Sequence, residues 1–387
     1  MGLTRASALA IVVGGFCVLP GFLVGVLALQ ISRDLDVSVA AAASGVTAFF
    51  AAGALGAGVL GRFSQRIGAL TAMRGASLAS GVCLLAIAAF ASSLPVLFGL
   101  LAVAGLANSA AQPAINLFMA EEVPRERQGL GFGLKQSAIP AAILLSGLAL
   151  PALALPLGWR TAVAVFGVIA LGVGASAGRG RRSESVQASV RESGPGPSTA
   201  LVILAVGGGL ASFGPNALGT YLVASAVDVG VAEGMAGILV AVGSGLSFAA
   251  RVAVGARADR RGDYGFTTVA VLLAAGSAGF LLMATHSAAP LVVGALFAFT
   301  VGWSWPGLFN LAVVERNRGT PAAATGVTQS GIYVGAAAGP ATFGLLSAEF
   351  GYPAAWTVIA ASLLLAAAAI WTAERMQIRE SSRTAQA

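Results

Sequence analysis

The chain states one phrase twice, half its own length apart. Gly61-Arg62-Phe63-Ser64-Gln65-Arg66-Ile67-Gly68 returns as Gly255-Ala256-Arg257-Ala258-Asp259-Arg260-Arg261-Gly262, 194 residues on. A second phrase, Gly133-Leu134-Lys135-Gln136-Ser137-Ala138-Ile139, returns as Gly326-Val327-Thr328-Gln329-Ser330-Gly331-Ile332, 193 residues on. In a chain of 387 residues that period means two equivalent halves. Each copy of the first phrase follows an apolar run long enough to cross a bilayer, and parallel repeats of this kind build transporters.

The charge content fits such a setting. Only 10% of residues are charged and 57% are hydrophobic, against roughly 25% charged in a soluble domain. A span needs about 20 mostly apolar residues. By that rule the chain holds twelve, near 8–31, 38–60, 72–92, 95–119, 129–153, 161–178, 199–224, 234–257, 266–285, 290–313, 321–347 and 354–373. The expected fold is an all-α membrane protein of two pseudo-symmetric six-helix bundles. Residues 1–178 form the first and 199–387 the second, with a short cytoplasmic tail that is expected to fray from Glu374. Residues 179–198, polar and rich in glycine and proline, read as a flexible cytoplasmic linker. Residues 8–30 are too long for the apolar region of a signal peptide and are kept as the first span.

Where the charges sit decides what the net charge of +7 means. Eighteen of the 22 basic residues fall in connections assigned to one side, and only Arg33 and Arg160 in connections on the other. This is the positive-inside bias, which predicts a multi-pass protein of the cell membrane with both termini cytoplasmic. A nucleic-acid surface would gather its basic residues on one water-facing patch, so that class is excluded. Cys17 and Cys83 lie in apolar runs and read as buried hydrophobes. His286 falls in a short outer connection and is expected to be solvated. No metal site, cofactor or phosphate-binding loop is expected, which argues against an enzyme and against ATP-driven transport.

No acidic residue falls in mid-span, although a carboxyl there is what couples protons in many carriers. Two cations do: Lys135, the only lysine, and Arg251. A charge at the membrane centre costs at least about 2.5–3.5 kcal/mol on insertion scales. The repeat sets Thr328 opposite Lys135 and Ala57 opposite Arg251, so each half carries one cation that the other lacks. With no nearby acid in sequence, an anionic substrate is the natural counter-ion. Two other readings stand beside it. Lys135 can snorkel to headgroups along its stem, and Arg251 can serve helix-end carbonyls or loop acids. Gln136, Gln329, Tyr333, Asn108, Gln112, Asn216, Trp303 and Asn310 complete the candidate substrate site, each of them also suited to interhelical hydrogen bonding. Prolines inside the spans pair between the halves, Pro20 with Pro215 and Pro113 with Pro306, and paired interruptions mark candidate substrate pathways. Gly335-Ala-Ala-Ala-Gly339 has the small-residue spacing of close helix packing.

Twelve spans in two sixes, a long middle connection, and Gly-x-x-x-Asp-Arg-x-Gly after the second span of a half resemble the major facilitator superfamily over essentially the whole chain. The resemblance implies a conformational latch at Gly61, Arg66, Gly68, Gly255, Asp259, Arg260 and Gly262. Residues 255–262 carry the full motif; Gln65 stands where the family has an acid, so the first copy lacks that charge. The arginine four residues before Gly255 is also similar to one that meets the substrate carboxylate in the superfamily's monocarboxylate carriers. The expected function is therefore secondary transport of a small organic or inorganic anion by a monomer, with a proton as candidate coupling ion. A proton-coupled drug efflux carrier is the alternative, and a non-transporting membrane sensor a more distant one.

Overall fold

The computed structural model describes residues 3–122, 131, 134–178, 198–261, 265–317 and 321–384, and among these the chain is helical almost throughout. Hydrocarbon supplies no partner for a backbone N–H or C=O, so a spanning segment must pair them within itself, and a helix does so. The first half contains α1 (Leu3–Val26), α2 (Gly45–Ile67), α3 (Ala69–Phe90), α4 (Leu94–Glu122), α5 (Leu134–Leu157) and α6 (Trp159–Ser176). The second contains α7 (Thr199–Asp228), α8 (Glu233–Arg261), α9 (Phe266–Met283) and α10 (Ala288–Arg316). The last stretch, Pro321–Thr384, is two helices, α11 (321–350) and α12 (352–384), because Gly351 at φ 79° breaks it. Its apolar part runs 55 residues, more than twice a span of about 20. Among the described residues, twelve crossings put the start of α1 and the end of α12 on one side of the membrane, here called the terminal side; the opposite face is the far side.

The repeat is visible in the contacts. The α5–α6 turn rests on Gly158 at φ 87° and the α11–α12 turn on Gly351, 193 residues later. Positive φ of this kind suits glycine alone. In the first half α1 meets α5 where Gly15 faces the Ala138 carbonyl; in the second, α7 meets α11 where Gly209 faces the Gly331 carbonyl. The residue offsets are again 194 and 193. Gly335 and Gly339 lie against the α7 backbone at Gly209 and Phe213, as their spacing predicts. The first phrase is less symmetric. Gly61 packs on Pro113 of α4, whereas Gly255 has open space around it. Gly68, the last glycine of that phrase, takes φ 90° and turns α2 into α3.

One expectation needs correction. The tail does not fray at Glu374: α12 stays helical to Thr384, and Glu374 is 5% exposed. Its carboxylate accepts from Phe266 N–H at 3.1 Å and from the Thr267 hydroxyl, and lies 3.5 Å from Arg316. It thus caps the free N–H groups at the start of α9, as a side-chain acceptor does at an exposed helix end. This ties α9, α10 and α12 together. His286 is exposed, as expected, with its Nδ1 3.7 Å from the exposed Asp228. Cys17 and Cys83 are buried free thiols.

The halves touch closely toward the far side. Gly147 of α5 meets the backbone of α8 at Gly237 and Ala241, and Gly25 of α1 meets Thr220 of α7. Arg33, just beyond α1, donates to Glu233 at the start of α8 at 2.9 Å, across the two halves.

Two outcomes follow from this packing. Gly335→Val should destabilise the protein by about 1–3 kcal/mol, the usual cost of overpacking, because its side chain overlaps the Gly209 carbonyl. Gly326→Ala, with open space around it, should be neutral or mildly stabilising; melting temperatures in detergent compare the two. Arg33→Glu and Glu233→Arg should each widen spin-label distances across the far side, and the double reversal should restore them. Stability should change by no more than about 1 kcal/mol, because one partner is largely exposed.

Candidate functional site

Proline decides where α5 breaks. Pro140 has no N–H, and it occupies the position that would donate to the Gln136 carbonyl in a continuous helix. The helix turns at Ser137 and resumes at Ala138. Arg251 of α8 fills the gap: its Nη1–H donates to the Gln136 carbonyl, a contact between the two halves. Its Nε–H donates to the Trp303 carbonyl at 3.0 Å.

The second acceptor arises from another break. Residues Ala298–Gly302 of α10 form a π-helical turn, Trp303 leaves helical geometry at φ −119°, and the helix restarts at Trp305 with Pro306 in its first turn. Single π-turns of this kind recur at functional sites. The Arg251 guanidinium lies 5.2 Å from the centre of the Trp303 ring, a cation–π distance. Trp303 in turn stacks on Phe299 and tilts against Phe22 of α1. The cluster therefore gathers α1 and α5 from one half and α8 and α10 from the other.

Arg251 is 3% exposed, and its Nη2 has no hydrogen-bond partner. Lys135, beside Gln136, is 8% exposed. No carboxylate approaches either cation among the described residues. Asp34 is engaged with Arg160, Asp228 with His286, Glu233 with Arg33 and Glu374 with Arg316. At the repeat-related position Thr328 is fully buried, and its hydroxyl donates to the Ala324 carbonyl one turn back. The two halves contribute unequally, as the sequence implies.

The structure joins Arg251, Gln136 and Trp303. Other candidates stay apart from that cluster in the hydrogen bonds and ring contacts described. Asn108 accepts from Gln112 within α4 at 3.3 Å, and Asn216 donates to the Ser212 carbonyl within α7. Gln329, Tyr333 and Asn310 are half-buried. Of the latch residues, Arg66 and Arg260 are exposed, and Arg260 lines a shallow pocket with Ala253, Ala256 and Arg257. The Asp259 side chain and Gly262 lie outside the described residues. Sequence reasoning missed Glu374. Its signal was a lone acid at the inner end of the last apolar run, level with a Gly-Phe-Thr helix start at 265–267.

A family model described as Major Facilitator Superfamily matches residues 9–328. No curated protein matches the sequence. The fold is similar to the crystal structure of a bacterial homologue of the human lysosomal transporter Spinster in its inward-facing, unoccupied conformation. The TM-score is 0.74 at 14% identity, over 97% of this chain and 98% of that one. The occupied inward-facing form of such a homologue gives 0.71 at 14% identity, over 96% and 97%. At that identity the likeness speaks for the fold, while the family match covers most of the chain. The chain belongs to the Major Facilitator Superfamily: it is a multi-pass membrane transporter of small molecules, working by alternating access, and not an enzyme.

Proposed function

We propose that the transported solute is a small anion, held between Lys135 of the first half and Arg251 of the second. The observation that carries this reading is the pair of buried cations with no acid beside them among the described residues. A buried charge without a counter-ion is disfavoured, and a bound anion supplies one to both cations at once. Trp303 and Phe22 supply an aromatic wall, and the unpartnered Nη2 supplies a donor.

The moving units are residues 1–178 and 199–387, joined by 179–198. The terminal side, where the arginines gather, is the cytoplasmic face of the cell membrane. The carrier acts as a monomer. A proton is the candidate coupling ion, taken up from solution without a buried mid-span carboxyl. The close contacts at Gly147, Gly237, Gly25 and Thr220 and the Arg33–Glu233 pair favour a state closed on the outside.

Uptake of labelled anions into proteoliposomes, with and without a pH gradient, tests the function directly. Arg251→Lys should lower substrate affinity about tenfold or more, which is about 1.4 kcal/mol, because lysine keeps the charge and loses the planar fork. Lys135→Thr should weaken binding while leaving folding intact, since it removes a buried charge. Unchanged affinity in both purified variants would assign Arg251 to the carbonyls of Gln136 and Trp303 alone. The drug-efflux reading would then take first place.

A further inference from the structure

Arg251 does not stand alone on its helix. Ser244, Ser247 and Arg251 are spaced by three and four residues, which places them on one face of α8. All three are buried: both serines at 0% and Arg251 at 3%. Each carries a polar atom without a partner, Ser244 Oγ, Ser247 Oγ and Arg251 Nη2. Buried hydroxyls elsewhere in this protein usually bond back one turn along their own helix. Ser146 donates to Ala142, Ser212 to Gly208, Thr220 to Asn216 and Thr328 to Ala324. Thr47 also lacks a partner, but it shares no helix face with a buried cation. The α8 pair is set apart by facing the same way as an arginine with a free donor.

The level of the guanidinium follows from its neighbours. Helices α8 and α10 run in the same direction, and Gly243 faces Phe299. Trp303, four residues beyond Phe299, therefore lies near the level of residue 247. The Arg251 Nε–H donates to the Trp303 carbonyl, so its head reaches back about one turn toward Ser247. Helical side chains lean toward the N-terminus in this way. Ser244 lies one turn further, about 4.5 Å along the axis. Beyond it the face is closed by Val240, fully buried, and by Gly237, which is packed on the Gly147 carbonyl.

We infer that Ser244 and Ser247 are specificity-determining donors of the anion site and select a short monocarboxylate over a halide. The inference rests on the anion reading of Arg251 and adds the choice of anion to it. Arg251 Nη2 and the two hydroxyls form a single donor cluster on this face, which takes one carboxylate group. Donors spread over about 4.5 Å along the helix suit an anion with two oxygens, one on Nη2 and one on the hydroxyls, better than a single-atom ion. The closed end at Val240 and Gly237 limits the hydrocarbon tail to a few carbons.

The test uses the full chain, purified and reconstituted, with acetate, propionate and chloride as probes. Ser244→Ala, Ser247→Ala and the double variant remove hydroxyls without a partner, so their melting temperatures should not fall. The double variant should bind acetate and propionate at least about tenfold more weakly, relative to chloride, than the parent does; that factor is one unit on the scale of binding decades. Ser247→Thr, which keeps a hydroxyl, should retain most of the affinity. If the double variant keeps its acetate affinity while Arg251→Lys loses it, the serines have no part in selection and the anion site stands. An equal loss for acetate and chloride also overturns the selectivity claim. If the parent protein binds neither carboxylate nor halide, the anion reading itself fails.

Discussion

A carbonyl left without a donor inside a membrane has nowhere to turn for water, and the architecture of this protein's centre grows from that fact. Pro140 takes the donor away from Gln136, and the broken turn at Trp303–Ser304 exposes a second acceptor. One arginine answers both, with Nη1 on Gln136 and Nε on Trp303. The cation is therefore held where the helices of the two halves are least regular. The same breaks that need it also fix its direction, leaving Nη2 without a protein partner. A charge that would be costly on a continuous helix becomes part of how two broken helices meet.

Around that centre each half is packed to move as a body. Backbone-to-backbone contact at Gly209, Gly331 and Gly335 locks α7 to α11, and the Glu374 carboxylate binds the start of α9 and the end of α10 to α12. Contact of this kind depends on small residues, because there is no hydrophobic drive between helices already in lipid. Between the halves the far-side contacts include one ion pair, Arg33 with Glu233, one partner of which is largely exposed. Stiff units that meet at small-residue contacts and one partly exposed ion pair suit the alternating access of a two-body machine.

Much of this was legible in the sequence, for reasons that can be named. Hydropathy found the spans because burial in lipid imposes length and composition together. The offset of the repeat also holds for Gly158 with Gly351 and for the Gly15–Ala138 contact with Gly209–Gly331, since equivalent turns and crossings need equivalent small residues. What escaped was set by three-dimensional encounter. Nothing in the local pattern says that Arg251 reaches the residue beside Lys135, or that Glu374 serves a helix start 108 residues away. Gly61 and Gly255 share a motif and yet meet different surroundings, Gly61 packing on Pro113 while Gly255 has open space around it. The serine face of α8 lay in plain view as Ser-x-x-Ser-x-x-x-Arg, but only the lack of partners for its hydroxyls gives that spacing meaning.

The rarity of lysine in this chain has a practical side. Arginine carries every other basic position, so Lys135 is the sole side-chain amine in the protein, and it lies almost wholly out of solvent, next in sequence to Gln136, whose carbonyl meets Arg251 of the other half. An amine-reactive reagent then has one internal target, reached only when the fold admits it. The chain comes with its own single-site chemical reporter, placed where opening and closing change the accessibility of a nitrogen, and mass spectrometry of one peptide could follow the transport cycle without an engineered label.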